Sequence, residues 1–215
     1  MRKYGQYCAL ARALDVIGER WTLLIIRELF ARDARYSDLR DALPGIATNL
    51  LADRLRHLQE HGIIETYDAP APVRATCYRL TARGRDLGPA LAALVSWGAP
   101  LLTTRGDDEF RTHWMALGLP TYFDGVDVSD LAPLEAVIRT GDAPAKLSVT
   151  SDGVTMTTGD PRPVAAVTVE GEPERVLAFL TGQSAPEDSH RVTVTGPVED
   201  VHRLHALAVR ARPVR

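Results

Sequence analysis

Apolar residues recur with a helical period along the first hundred positions of this chain, and much of the remainder changes to strand-like runs. Leu10, Leu14 and Ile17 share one face of a helix over Tyr7 to Ile17, with Gly18 placed to end it. Trp21 to Phe30 is nearly all apolar on its inner side and reads as a central buried helix. Tyr36 to Leu43 predicts a shorter amphipathic helix, joined through the tight turn Pro44-Gly45 to the most informative stretch, Ile46 to Ile64. There Leu51, Leu55 and Leu58 have the i, i+4, i+7 spacing of a buried helical face, and the segment ends at a glycine before a strand. Ile63 to Asp68 and Ala75 to Leu80 predict a hairpin whose proline-stiffened tip, Ala69 to Arg74, presents Arg74. From the N-cap Thr81 one long helix is expected to run to Trp97-Gly98, with Pro89 deep enough inside it to cause a kink.

Gly98, Pro100 and the run Thr103 to Asp107 read as a domain boundary, giving expected domains over 1–105 and 106–215. In the second, Asp108 to Leu119 predicts a helix carrying Phe110, Trp114 and Leu117. Strands are expected over Leu134 to Thr140, Ala145 to Thr150, Val154 to Thr158, Val164 to Glu170 and Arg191 to Thr195. Ser151-Asp152-Gly153 is a hairpin turn between the second and third of these. Prolines open two further helices, at Glu172-Pro173 and Pro197. The fold class is therefore α+β: a mainly α N-terminal part and an α+β C-terminal domain.

Two short helices across a tight turn make a helix-turn-helix, whose second helix can enter a DNA major groove, and the following hairpin makes it winged. Charge sharpens this picture. The net charge of −3 divides into +4 over residues 1–105 and −7 over 106–215, so the half with the helix-turn-helix suits a polyanion and the other does not. No apolar run approaches the roughly 20 residues that cross a bilayer, so no membrane association is expected. Arg12 and Asp15 interrupt what a signal peptide would need, and two distant cysteines suggest a reducing cytoplasm. Motifs for phosphate cradles or a nucleophile elbow are lacking, so no catalysis and no cofactor are expected.

The run Cys8 to Leu29 (CALARALDVIGERWTLLIIREL) resembles the opening of HxlR-type transcription regulators, winged-helix proteins related to the MarR type. The resemblance continues through Tyr36-Ser37-Asp38-Leu39, Leu43-Pro44-Gly45-Ile46, the recognition-like helix and Tyr78 to Gly84, covering about residues 5–102. It implies a cytoplasmic homodimer, with terminal helices as its interface, that binds a palindromic operator in double-stranded DNA, more often as a repressor. The acidic half resembles sterol carrier protein-like domains, through Pro163 to Gly171 and Arg191 to Pro197. That resemblance implies a small sheet and helices around an apolar cavity for a small hydrophobic ligand. A carrier of hydrophobic ligands, with the helix-turn-helix kept as a dimerisation scaffold, is the alternative from another class.

Thr48, Asn49, Arg54 and Arg56 lie off the apolar stripe and are candidate operator contacts, since Asn suits an adenine edge and Arg a guanine edge or phosphate. Arg54 could equally pair with a carboxylate on a solvated face, and Asp53 could pair with Arg56 or accept from a cytosine amino group. Ser37 either caps its helix or bonds a phosphate, and Arg74 at the wing tip is a minor-groove or phosphate candidate. Cys8 matches a position where some HxlR-type proteins keep a redox-sensing thiol, with Arg12 one turn on, although most such cysteines are core or interface residues; Cys77 reads as structural. The pairs His57/His61 and His202/His205 lack metal-site context and read as surface residues. Trp114, Leu117, Phe123, Val137, Met156, Phe179 and Leu180 are expected to meet inside the second domain, as core or as the lining of a ligand cavity.

Overall fold

A computed structural model describes residues 3–70, 74–102, 106–158, 167–183 and 191–212. The chain divides into two compact units, the first ending at Leu91 and the second beginning at Ala92.

The N-terminal unit begins with α1 (Ala9–Ile17) and α2 (Thr22–Ala31), then β1 (Ala34–Arg35), α3 (Tyr36–Ala42), α4 (Thr48–Glu60), β2 (Ile64–Asp68) and β3 (Thr76–Leu80). The strands form an antiparallel sheet in the order β1-β3-β2, with Ile64 opposite Leu80 and Asp68 opposite Thr76. Ile25, Ile26 and Leu29 of α2, Leu39 of α3 and Leu51, Leu55 and Leu58 of α4 make up the buried centre. α1 is different. Its Leu10 and Leu14 are exposed and Ile17 is half-buried, so among the described residues its apolar face is only partly covered.

Beyond β3 the expected single helix is two. Thr81 accepts from the Gly84 amide at 3.1 Å and caps only the four-residue α5 (Ala82–Arg85). A new helix, α6 (Gly88–Gly98), then starts, so Pro89 lies in a first turn, where proline is tolerated, and kinks nothing.

In the C-terminal unit Thr112 to Phe123 forms 3-10 turns around the four-residue helix α7 (Met115–Gly118), not the expected continuous helix from Asp108. The Thr112 amide donates to the Asp142 carboxylate at 3.1 Å and its hydroxyl bonds Thr140, which anchors this corner to the turn after the next strand. A five-stranded sheet follows: β4 (Leu134–Arg139), β5 (Ala145–Thr150), β6 (Gly153–Thr158), β7 (Val167–Gly171) and β8 (Val192–Thr195), ordered β6-β5-β4-β7-β8. β4 and β7 are parallel and the other neighbours antiparallel. Strand alternation sorts the residues. Leu134, Ala136, Ile138, Leu147, Val149, Met156, Val167 and Val169 point to one face, where α8 (Pro173–Leu180) and α9 (Val198–Arg210) pack. The opposite face carries Thr155, Thr157, Thr193 and Thr195, all exposed.

Two arginines tie α9 to the segment before β4. Arg203 donates to the Pro133 carbonyl at 3.0 Å, and Arg210 makes a two-pronged pair with Asp130, one prong at 2.7 Å. Bonding from Arg210 holds the Asp130 carboxyl below its ordinary pKa, and the Ser129 hydroxyl and amide do the same for Asp127. A carboxyl depressed in the folded state binds its proton more readily when unfolded. Its stabilisation is complete above the ordinary aspartate range and disappears as pH falls through the folded value. Asp130→Asn is accordingly expected to lower the melting temperature at pH 6 and to match the parent near pH 2. A difference that persisted unchanged at pH 2 would contradict an ionic origin.

Candidate nucleic-acid interface

The helix-turn-helix is assembled by polar contacts at its ends and apolar ones behind it. The Arg35 amide donates to the Asp38 carboxylate at 2.9 Å, so Arg35 occupies the cap of α3. Ser37 is the helix's second residue and is exposed; the expected cap belongs two positions earlier, where an acid three residues on can reach back. The chain turns through Pro44 and Gly45, the glycine at a φ of 87° that a side chain would resist. Tyr36 then donates its hydroxyl to the Thr48 carbonyl at 2.7 Å, pinning the first turn of α4 against α3. Leu51, Leu55 and Leu58 are buried as their spacing requires, and Gly62 at φ 66° ends the segment.

Thr48, Asn49, Asp53 and Arg56 are left exposed on α4. The Asn49 side chain accepts from the Leu50 amide at 3.0 Å, and Arg56 pairs with Asp53 at 2.9 Å in the i, i+3 arrangement. Arg54 is not with them. Its side chain is 14% exposed, its Nη2 lies 3.0 Å from Glu19, and its Nε donates to the Arg20 carbonyl at 3.4 Å. Of the two roles open to Arg54 in the sequence, the structure takes the carboxylate pair. Sequence reasoning missed Glu19 and Tyr36: nothing local marks a partner 35 residues distant, although a tyrosine opening a helix-turn-helix could have drawn attention.

On the same flank His57 donates from Nε2 to the Val16 carbonyl at 3.1 Å and lies 4.2 Å, centroid to centroid, from His61. Burial and then the neighbouring His61 push its pKa down, which favours the neutral ring. The wing is β2 and β3. Arg79 stacks over Tyr67 at 4.8 Å and pairs with Glu65 at 2.7 Å, while Tyr67 donates to Asp33 at 2.8 Å. Arg74 is exposed beside the tip; Ala71 to Val73 lie outside the described residues.

Cys8 is exposed immediately before α1, and Cys77 is buried on β3. Arg12, one turn on from Cys8, pairs with Asp15 at 3.6 Å. The seven apolar residues expected to meet in the second domain do so in part. Phe123, Met156 and Leu180 belong to one buried cluster with Phe179 packed on it. Val137 is buried too, but it alternates with Ala136 and Ile138 and so lies on the other side of β4, and half-buried Trp114 and Leu117 are likewise outside the cluster. His205 meets the Phe179 ring edge-on at 5.1 Å. Among the described residues no group of three or more His, Cys, Asp or Glu could hold a metal ion, and no helix is long and apolar enough to cross a membrane.

Residues 16–105 match the family described as HxlR-like helix-turn-helix. An uncharacterized HTH-type transcriptional regulator of Synechocystis sp. is 40% identical over 98 residues, spanning 46% of this chain and 73% of that protein. This chain belongs to the HxlR-like helix-turn-helix family. A second relative, an uncharacterized HTH-type transcriptional regulator of Mycobacterium tuberculosis, is 42% identical over 90 residues, covering 42% of this chain and 56% of its own length. Among solved structures, the redox regulator HypR in its oxidized form is 28% identical, covers 43% of this chain and 96% of its own, and superposes with a TM-score of 0.41. The relatives of this HxlR-like chain are named as transcription regulators rather than enzymes.

Proposed function

We propose that the chain is a homodimeric, DNA-binding transcription regulator, a repressor, that reads a palindromic operator through α4 and the β2–β3 wing. One observation carries the reading. An amphipathic helix buries Leu51, Leu55 and Leu58 and leaves Thr48, Asn49, Asp53 and Arg56 exposed, in a chain whose wing presents Arg74. Arg56 suits a guanine edge, with Asp53 beside it able to hold the guanidinium in place or to accept from a cytosine amino group. Ser37 and Arg74 suit phosphates.

Two copies present their reading helices about 34–36 Å apart, one DNA turn, to engage both half-sites. Exposed apolar residues on α1 (Leu10, 67% exposed) and on α6 (Trp97, 73%) support these helices as the dimer interface, since large apolar side chains left in water favour burial against a partner. The apolar cluster around Phe123, Met156, Phe179 and Leu180 would take a small hydrophobic ligand, which can act only by favouring one spacing of the two helices over another. Exposed Cys8 offers a second, oxidative input at the start of the interface helix.

Selection from random DNA followed by gel shift tests the reading. Arg56→Ala is expected to weaken binding to the selected duplex by about 1–3 kcal/mol and to relax its base preference at one position, with the dependence of log affinity on log salt little changed. Failure to recover any specific duplex would remove DNA reading and leave the hydrophobic carrier as the stronger description.

A further inference from the structure

We propose that Arg54 is a positioning residue: through Glu19 and the Arg20 carbonyl it fixes the reading helix to the end of α1, so that a movement of α1 is passed to α4. This rests on the DNA-reading assignment above and adds a route by which the interface helix controls it.

The stripe of Leu51, Leu55 and Leu58 sets how deeply α4 is seated. The hydrophobic driving force is non-directional, so directional contacts at the helix edge add orientation to what this packing fixes. Three of them leave one flank of α4 for the segment Val16 to Arg20: Arg54 to Glu19 at 3.0 Å, Arg54 to the Arg20 carbonyl at 3.4 Å, and His57 to the Val16 carbonyl at 3.1 Å. Arg54 and His57 are i, i+3 neighbours, so both act on the same edge.

The segment they grip is stiff. The Gly18 amide donates to the Leu14 carbonyl at 2.9 Å, and a Cβ at Gly18 would lie only 2.6 Å from that oxygen. Trp21 follows at φ 77°, a left-handed backbone that a tryptophan adopts only where its surroundings enforce it. The Arg20 guanidinium lies over the Trp21 ring at 5.4 Å. Behind this rigid corner stands α1, the helix with a partly exposed apolar face. Arg54 is suited to the link because its planar fork serves the carboxylate and the carbonyl at once, which a lysine ammonium does in a less defined geometry. Its Nε and Nη2 donors are engaged within the chain, and its side chain is 14% exposed.

The test measures binding of the full chain to a selected duplex across a salt series, for the parent, Arg54→Ala, Glu19→Ala, the double variant and Glu19→Gln. Arg54→Ala and Glu19→Ala are each expected to weaken specific binding about fivefold to tenfold, with the salt slope unchanged and the double variant no weaker than either single one. Glu19→Ala is decisive, because deleting a negative charge strengthens binding to a polyanion unless that charge is needed for geometry. Glu19→Gln keeps the shape and carries the test if Arg54→Ala melts early. A salt slope flattened by about 0.9 in Arg54→Ala would restore it as a phosphate contact. Tighter binding by Glu19→Ala, or additive losses, would equally overturn the link. If the parent itself selects no duplex, the DNA-reading assignment fails; if the parent binds and the variants bind alike, only the link does.

Discussion

Gly84→Ala is expected to destabilise the N-terminal unit by about 3 kcal/mol or more, combining overpacking with a lost hydrogen bond. A Cβ at this position would lie 2.2 Å from the Ile63 carbonyl oxygen and 3.0 Å from the Leu80 side chain. That carbonyl cannot simply retreat. It accepts from the Thr81 amide at 3.0 Å, and the neighbouring Gly62 carbonyl accepts from the Thr81 hydroxyl at 2.6 Å, so the junction between α4, the wing and α5 converges there. The requirement for glycine comes from close approach of backbone, since Gly84 lies inside a helical turn. Thermal unfolding of the full chain should show the transition of the N-terminal unit lowered by roughly 10–20 °C for a unit of this size. A shift of only a degree or two would mean that the junction yields.

Leu55→Ala is the second large effect, expected to cost about 2–5 kcal/mol from lost transfer energy and the cavity left behind. Leu55 is 1% exposed at the middle of the buried stripe, between Leu51 and Leu58, which are fully buried. Chemical denaturation should report a lower midpoint with an unchanged slope. Under folding conditions, DNA affinity should fall far less than stability, because Leu55 faces away from Thr48, Asn49 and Arg56. Equal loss of binding in a fully folded variant would place Leu55 in the recognition surface, contrary to its burial.

Periodicity made most of the fold legible, because burial selects residues by face. The α4 stripe, the wing hairpin, and the strands β4, β5 and β6 could be placed from spacing alone. Features set by distant partners could not. Arg54 looks like any outward arginine until Glu19 is brought beside it by the turn between α1 and α2. Val137 is buried, as an apolar strand residue suggests, but the register sets it on the side of β4 away from Ala136 and Ile138, so it does not meet Phe123, Met156 and Leu180. Ser37 is a good capping residue by type, but the cap of α3 falls at Arg35, where Asp38 is spaced to reach the amide. Around Thr112 the tie to Asp142 and Thr140 overrides a helical pattern that runs on in the sequence.

The strand order of the C-terminal sheet has a consequence for synthesis. The N-terminal unit pairs β2 with β3, near neighbours in sequence, so its sheet closes soon after Leu80 leaves the ribosome. β4 is served on one side by β5 at once, but its other edge waits for β7, and β7 in turn waits for β8. From the emergence of Arg139 until Val167 to Gly171 arrives, the nascent chain therefore carries an unpaired edge flanked by Ala136 and Ile138, open to pairing with another nascent chain. Aggregation during expression should accordingly track the second half of the chain, even where the mature protein is well behaved.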